Sequence, residues 1–181
     1  LGHVHASFDW DWNAANAEYQ RAFALAPGNA DVLRALASIT RVLQGADAGI
    51  DLLRKAASLD PLSSSAQRAL GLCCFHAHRL DDALTALNAA LDLNPKAGLV
   101  HCILGAVHLE LGRADEALAL AEREVFAEFR LMAVAIAQHA LGHHDESDAA
   151  MNRLIDDHGS NAAYQIAIAF AWRGEVDRVF E

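Results

Sequence analysis

Residues 64–97 read SSAQRALGLCCFHAHRLDDALTALNAALDLNPKA, two runs of helical apolar spacing separated by a turn before Arg79 and closed by Pro95. With the proline set as position 32 of a 34-residue unit, Leu70 and Gly71 fill positions 7 and 8, Ala83 fills 20, Leu87 fills 24 and Ala90 fills 27. Small residues at 8 and 20 let two antiparallel helices approach closely, and the large apolar residues at 7 and 24 fill the space beside the crossing. Asp81, at position 18, falls at the start of the second helix. There a carboxylate can accept from free backbone N–H groups and meets the positive helix end. Pro95 stands just past the second helix, where it stops that helix without removing a bond.

The same frame extends in both directions. Pro27, Pro61 and Pro95 are spaced 34 residues apart. The unit from Ala30 carries Leu36, Ala37, Gly49, Leu53, Ala56 and Pro61 at the positions just described, and the unit from Gly98 carries Leu104, Gly105, Ala117 and Ala121. After Ala121 the phase slips, because the next Leu-Gly pair before an acidic turn is Leu141-Gly142. The unit from Gly98 is therefore shortened by about four residues, and an irregular connection is expected near 121–128. From Glu128 the pattern resumes with Val134, Ala135, Ser147, Met151 and Leu154, and from Ser160 with Ile166, Ala167 and Phe170. Phased backwards, Ala15, Tyr19, Ala22 and Pro27 form the second helix of a first unit. Position 18 is Asn13, Asp47, Asp81, Asp115, Asp145 and Asp177 in turn, each expected to cap a second helix. One domain over 1–181 results, with units at 1–29 (partial), 30–63, 64–97, 98–127 (shortened), 128–159 and 160–181 (partial). No unit can bury its apolar face alone, so the units must stack as an all-α solenoid.

Composition agrees with helices and narrows the partners. Of 181 residues 39 are alanine and 25 leucine, both strong helix formers. The net charge of −10 opposes binding to phosphate backbones, so no nucleic acid partner is expected for this segment. No uninterrupted apolar run is longer than Leu131 to Ala137, far too short to cross a bilayer, so no membrane association is expected either. Cys73, Cys74 and Cys102 are odd in number, lack CxxC spacing and lie in apolar helical context. They read as reduced, buried thiols and point to a cytoplasmic setting.

The repeat resembles the tetratricopeptide repeat (TPR) family over essentially the whole chain, on the residues quoted above. The resemblance implies a TPR-like right-handed superhelix and a non-catalytic scaffold that binds a protein or peptide partner. The lead-in Phe8-Asp9-Trp10-Asp11-Trp12 with Ala15, Tyr19, Ala22 and Pro27 is similar to the entry of TPR regions in multidomain bacterial regulators. The segment itself is expected to be the turn into a helix, with one of the two tryptophans covering the edge of the core.

In the family the concave surface is built from first-helix positions 2, 5, 9, 12 and 13. Carried over, these positions supply Arg34, Arg41 and Arg68 with Phe75 at one end of a groove. At the other end they supply Leu109, Phe129, Met132, Tyr164 and Trp172. Such a groove suits a peptide with acidic groups followed by apolar anchors, since arginine grips carboxylates bidentately and Met and aromatic faces hold apolar side chains. The alternative for the same residues is solvation, pairing of arginine with Asp31, and ordinary packing between helices. The lysine and asparagine set of the family's dicarboxylate clamp is absent: its places hold Arg34, Ser38, Ala69, Leu99 and Ile103.

The ten histidines form no recognisable metal set. His139 and His143 straddle a turn, His101 and His108 share one helix with Cys102 nearby but no further ligand, and His76 and His78 flank another turn. No HExxH, nucleophile-elbow serine or phosphate-binding glycine pattern occurs. No metal, no cofactor and no catalysis are expected. A homo-oligomer formed through exposed terminal helix faces, Ile166 and Phe170 among them, is the alternative function.

Overall fold

Asn29 opens the first full helix pair: its Oδ1 accepts from the backbone N–H groups of Asp31 at 2.9 Å and Val32 at 3.2 Å, satisfying two of the four donors that a helix start leaves free. In a computed structural model that describes residues 1–180, the helix so started, α3, runs Ala30–Gln44. The other helices are α1 (Gly2–Ser7), α2 (Trp12–Leu25), α4 (Ala46–Leu59), α5 (Ser64–His76), α6 (Leu80–Leu93), α7 (Val100–Glu110), α8 (Ala114–Ala121), α9 (Ala127–Ala140), α10 (His144–His158) and α11 (Ala163–Trp172). A 3₁₀ turn follows over Val176–Phe180, and no strand occurs among the described residues. Consecutive helices pair as α1–α2, α3–α4, α5–α6, α7–α8 and α9–α10. The result is an α-solenoid of stacked pairs, in two compact units that divide at Ala97 and Gly98.

In the first unit, α3 packs on both α4 and α5, and α5 on α6. Along α3 the buried set is Leu33, Leu36, Ala37, Ile39 and Thr40, one face at helical spacing. The helix crossings use the small residues at repeat positions 8 and 20. A Cβ added at Gly71 would lie 2.5 Å from Leu87 Cγ, and one at Gly49 would lie 3.2 Å from Cys73 Sγ. At Gly71 Leu87 or its helix would have to shift, and at Gly49 the neighbours would have to give by a few tenths of an ångström. At the amino-terminal edge Trp12, Tyr19 and Phe23 pack against buried Ala15, Leu36 and Ile39. Trp10 stays 70% exposed, its ring 5.6 Å from that of Trp12 in an edge-to-face arrangement. Trp12 thus covers the core edge, and Asp11 makes the turn into α2 by accepting from Ala14 N–H at 2.9 Å.

The position-18 acids differ from the capping expectation. The N-cap residues of α4, α6, α8 and α10 are Gly45, Arg79, Arg113 and His143, none of which makes a side-chain cap bond. Asp47, Asp81, Asp115 and Asp145 fall one position inside the helix start, in the first turn. They therefore act on the helix through charge against the positive helix end. Side-chain caps are made instead by Asp11, Asn29 and Ser63, the last accepting from Ala66 N–H at 3.2 Å. Each proline follows a C-cap residue, Ala26, Asp60 or Asn94, as its fixed geometry favours.

The second unit contains the shortened repeat. Helix α8 has 8 residues, against 14 for α4 and α6, and the chain reaches α9 through a tight turn at 122–126. Glu124 lies in that turn with 1% exposure. Its carboxylate accepts the backbone N–H groups of Leu99 (3.1 Å), Cys102 (3.2 Å), Val125 (2.9 Å) and Phe126 (3.3 Å). Arg130 Nη1 donates to the Glu124 carbonyl oxygen at 2.9 Å. The buried charge is thereby satisfied by donors that include the start of α7 and the approach to α9. Leu99 adopts a left-handed conformation with φ 69° before α7. The Phe126 ring occupies the space that a Cβ at Gly98 would need.

Beyond this turn, Leu131, Met132, Ala135, Ile136, Met151, Leu154 and Phe170 form one core. Ser147, fully buried at a crossing, donates from Oγ to the Ala135 carbonyl at 2.7 Å. Phe170 is 4% exposed and lies under the Arg178 guanidinium, 4.3 Å from its ring centroid. Arg173, nearly buried, pairs with Asp148 on α10 and with Glu175 at 2.6 Å. The terminal face that Phe170 was expected to expose is therefore covered by the chain's own last turn.

Candidate functional site

The side chains of one first helix and of the next first helix in the stack converge on a cavity in each unit. In the first unit the cavity is about 180 Å³ and is walled by Arg34, Arg41 and Arg68, with Ala37, Ser38 and Leu72 also lining it. These are repeat positions 5, 12 and 5, then 8, 9 and 9. In the second unit a smaller cavity of about 50 Å³ is lined by Cys102, Ala106, Leu109, Met132, Ile136 and Trp172, with Ile168 and Gly105 beside them. Positions 5, 8, 9 and 12 of one repeat, and 5 and 9 of the next, recur in both sets. The scaffold thus builds the same hollow twice and fills its walls with opposite chemistry, cationic in one unit and apolar in the other.

The three arginines differ in their partners. Arg34 Nη2 donates to Asp31 Oδ1 at 3.2 Å, one turn back on α3, and Asp31 is 80% exposed at its side chain. Arg34 Nε is buried with no hydrogen-bond partner among the described residues. Arg41 and Arg68 have no acidic partner within ion-pair distance among the described residues. Two acids of this unit pair with other cations: Asp82 with Arg54 at 3.2 Å and with Arg79, and Asp47 with Arg79 at 3.5 Å. Burial, with the Arg34 charge adding, pushes the Arg68 guanidinium below its ordinary value. An acidic chain that leaves two guanidiniums uncompensated around one hollow has a local positive field where the global field is negative.

The apolar cavity brings together three of the residues singled out from the sequence, Leu109, Met132 and Trp172. Trp172 is 42% exposed, so its indole is partly open to solvent at the rim. Phe129 belongs to the core flank, its ring 6.4 Å from that of Phe126, and Tyr164 is 73% exposed near the start of α11. Neither lines the cavity. Phe75 is half-buried with its ring 5.7 Å from His76 and stands outside the arginine hollow. Cys102, at position 5 of its repeat, also lies in the apolar wall, and burial pushes its thiol up to about 12, with Glu124 adding. Position 5 carried the signal for Cys102 as well as for Arg34 and Arg68, but a cysteine at that place has no obvious partner chemistry.

Several histidines have close local neighbours. His139 and His144 have rings 5.1 Å apart, and His143 Nδ1 is 2.9 Å from Gln138 Oε1. No group of three or more His, Cys, Asp or Glu side chains able to hold a metal ion occurs among the described residues. His101 is 2% exposed, and neither ring nitrogen has a hydrogen-bond partner among the described residues. Burial and then the Arg123 charge hold its imidazole below the usual range, with Glu124 opposing. No helix among the described residues is long and apolar enough to cross a membrane.

Comparison with known proteins bears on the fold. The tetratricopeptide repeat family model matches residues 41–97 and 77–130. Curated proteins gave no match. Among solved structures, TTC0263, a thermophilic TPR protein in Thermus thermophilus, is 21% identical with a TM-score of 0.79, covering 94% of this chain and 96% of that one. MamA is 22% identical with a TM-score of 0.69, covering 90% of this chain and 96% of that one. YrrB, a TPR protein with an unusual peptide-binding site, is 17% identical with a TM-score of 0.61, covering 89% of this chain and 86% of that one. At such identities the likeness is one of fold. A chain whose helix pairs recur with this spacing, cross through these small residues and match that repeat model belongs to the tetratricopeptide repeat family.

Proposed function

We propose that the chain acts as one TPR-like domain, a non-catalytic scaffold that binds an extended peptide or a partner protein on its first-helix faces. The observation that carries the reading is the repeated hollow at equivalent repeat positions, lined by Arg34, Arg41 and Arg68 in one unit and by Leu109, Met132 and Trp172 in the other. Each wall has its own match, acidic groups for the hollow of the first unit and apolar side chains for that of the second. YrrB, of like fold, is itself a TPR protein with a peptide-binding site, which supports the class of ligand. The lead-in Phe8–Trp12 supports placing the domain within a larger cytoplasmic bacterial regulator, and the three free cysteines are in keeping with that compartment.

The test is fluorescence polarisation with a peptide library in which acidic and apolar positions are varied independently. Three proteins are compared: the native chain, Arg34→Glu with Arg68→Glu, and Ala106→Trp, which fills the apolar cavity. Each variant should lose at least about tenfold in affinity for the selected peptides, about 1.4 kcal/mol, while helicity and melting stay the same. Equal binding by all three proteins would remove the reading. Self-association draws support from exposed Phe8 and Trp10 rather than from Phe170. It requires a mass in sedimentation that rises with concentration and falls back to one chain on Phe8→Ser with Trp10→Ser.

A further inference from the structure

The arginine hollow has a charge balance that separates one class of anion from another. Arg34, Arg41 and Arg68 bring three positive charges to its wall, and Asp31 returns one through its pair with Arg34. Two charges remain without a counter-charge among the described residues. A carboxylate side chain supplies one negative charge and two acceptor oxygens. A phosphate monoester supplies close to two negative charges at neutral pH and three strong acceptor oxygens.

We propose that this hollow binds a phosphorylated side chain of a peptide partner, the phosphate held by Arg41 and Arg68 and joined by Arg34. The proposal rests on the peptide-binding reading above and sharpens it at one of the two hollows. Four further observations support it. All three cations are arginines, whose planar forked donors suit a phosphate better than a lysine's point charge. They stand on adjacent first helices, α3 and α5, which pack directly on each other and so hold the donors on a rigid frame. The Asp31–Arg34 pair is solvent-exposed, with side-chain exposures of 80% and 39%, so a stronger anion can displace it readily. Burial and Arg34 already disfavour the charge on Arg68, a penalty that a dianion in the hollow relieves.

The experiment uses the native chain and four probes followed by amide chemical shifts at pH 7.5: acetyl-Ala-phosphoSer-Ala-amide, the same peptide with Glu, the same peptide with Ser, and inorganic phosphate. The phosphopeptide should shift the amides of Ala37, Ser38, Ala69 and Leu72 and bind at least tenfold tighter than the Glu peptide. Its affinity should fall at least threefold at pH 5, where the phosphate has lost one charge, its second ionisation lying near pH 6. Arg41→Gln with Arg68→Gln should lose at least tenfold of that affinity, and the comparison between peptides on the native chain stands whether or not the variant folds. Equal binding of the Glu and phosphoserine peptides overturns the phosphate proposal and leaves the acidic-peptide reading intact. Inorganic phosphate bound as tightly as the phosphopeptide overturns the peptide as its source. No shift with any probe overturns the proposal together with the arginine half of the peptide-binding reading, whose apolar half at Ala106 is tested separately.

Discussion

Glu124 accepts a hydrogen bond from the backbone N–H of Leu99 at 3.1 Å, across 25 residues of chain. With three more backbone donors on the same carboxylate, this side chain holds together the two ends of the shortened repeat. A buried acceptor with four donors has no cheap substitute, because each donor left unpaired retains its desolvation cost. Glu124→Ala should therefore lower stability by about 3 kcal/mol and Glu124→Gln by about 2 kcal/mol, read by urea unfolding. A loss below about 0.5 kcal/mol would mean that the turn at 122–126 does not depend on this residue.

Gly71→Ala should cost about 2 kcal/mol, because its added carbon meets the Leu87 side chain at 2.5 Å and that side chain or its helix must shift. In a Leu87→Ala background the same change should cost much less, so the two substitutions are strongly non-additive. Additive losses in a double-mutant cycle would place the strain elsewhere.

His101 gives stability a pH dependence with a definite sign. Its imidazole is held below the ordinary value in the folded chain, so the unfolded chain binds the proton more readily. The stabilisation tied to neutral His101 is complete above the unfolded value near 6.5 and is lost as pH falls below it. The native chain should lose stability between pH 7 and 5 by up to about 1.4 kcal/mol per pH unit more than His101→Leu does. Parallel curves for the two proteins would show that His101 does not titrate on unfolding.

The thiols should be silent until the chain opens. Cys73 and Cys74 are buried, with their thiols raised chiefly by burial, and Cys102 is pushed up to about 12. At pH 8 the thiolate fraction at Cys102 is roughly one in ten thousand, and attack requires the thiolate. A colorimetric thiol reagent should label none of the 3 cysteines in the native chain within minutes and all of them in urea. Prompt labelling of the native chain would mean that α5 or α7 opens readily.

Much of this architecture is written in short-range signals. The proline spacing located the ends of α2, α4 and α6, and the glycine and alanine positions located the crossings, because both constraints act within one repeat. The slip after Ala121 was visible as a shift of phase, and α8 is indeed short. What replaces the missing helical turn was not visible, since Glu124 acts on donors up to 25 residues away and no local pattern marks it. The position-18 acids misled by a short distance: the chain enters each second helix two residues earlier than a capping side chain would require. For the hollows, repeat positions 5 and 12 place Arg34, Arg41 and Arg68 around one and Leu109 and Met132 around the other. Tyr164, Phe129 and Phe75 share the same periodicity and lie outside both linings, because a periodicity does not say how far along the helix a hollow extends.

The ownership of the helix caps decides how these repeats can be cut and moved. Asn29 and Ser63 start α3 and α5, yet each is the last residue before the 34-residue boundary at Ala30 or Ser64. A transplant of residues 30–63 or 64–97 would leave its own starting bond behind in the donor protein. Shifting the excision by one residue, to 29–62 or 63–96, carries the cap along. The segment 98–126 needs no such adjustment, because Glu124 travels with the helix it starts. Of the repeats in this chain, it is the irregular one that is ready-made for recombination into another array.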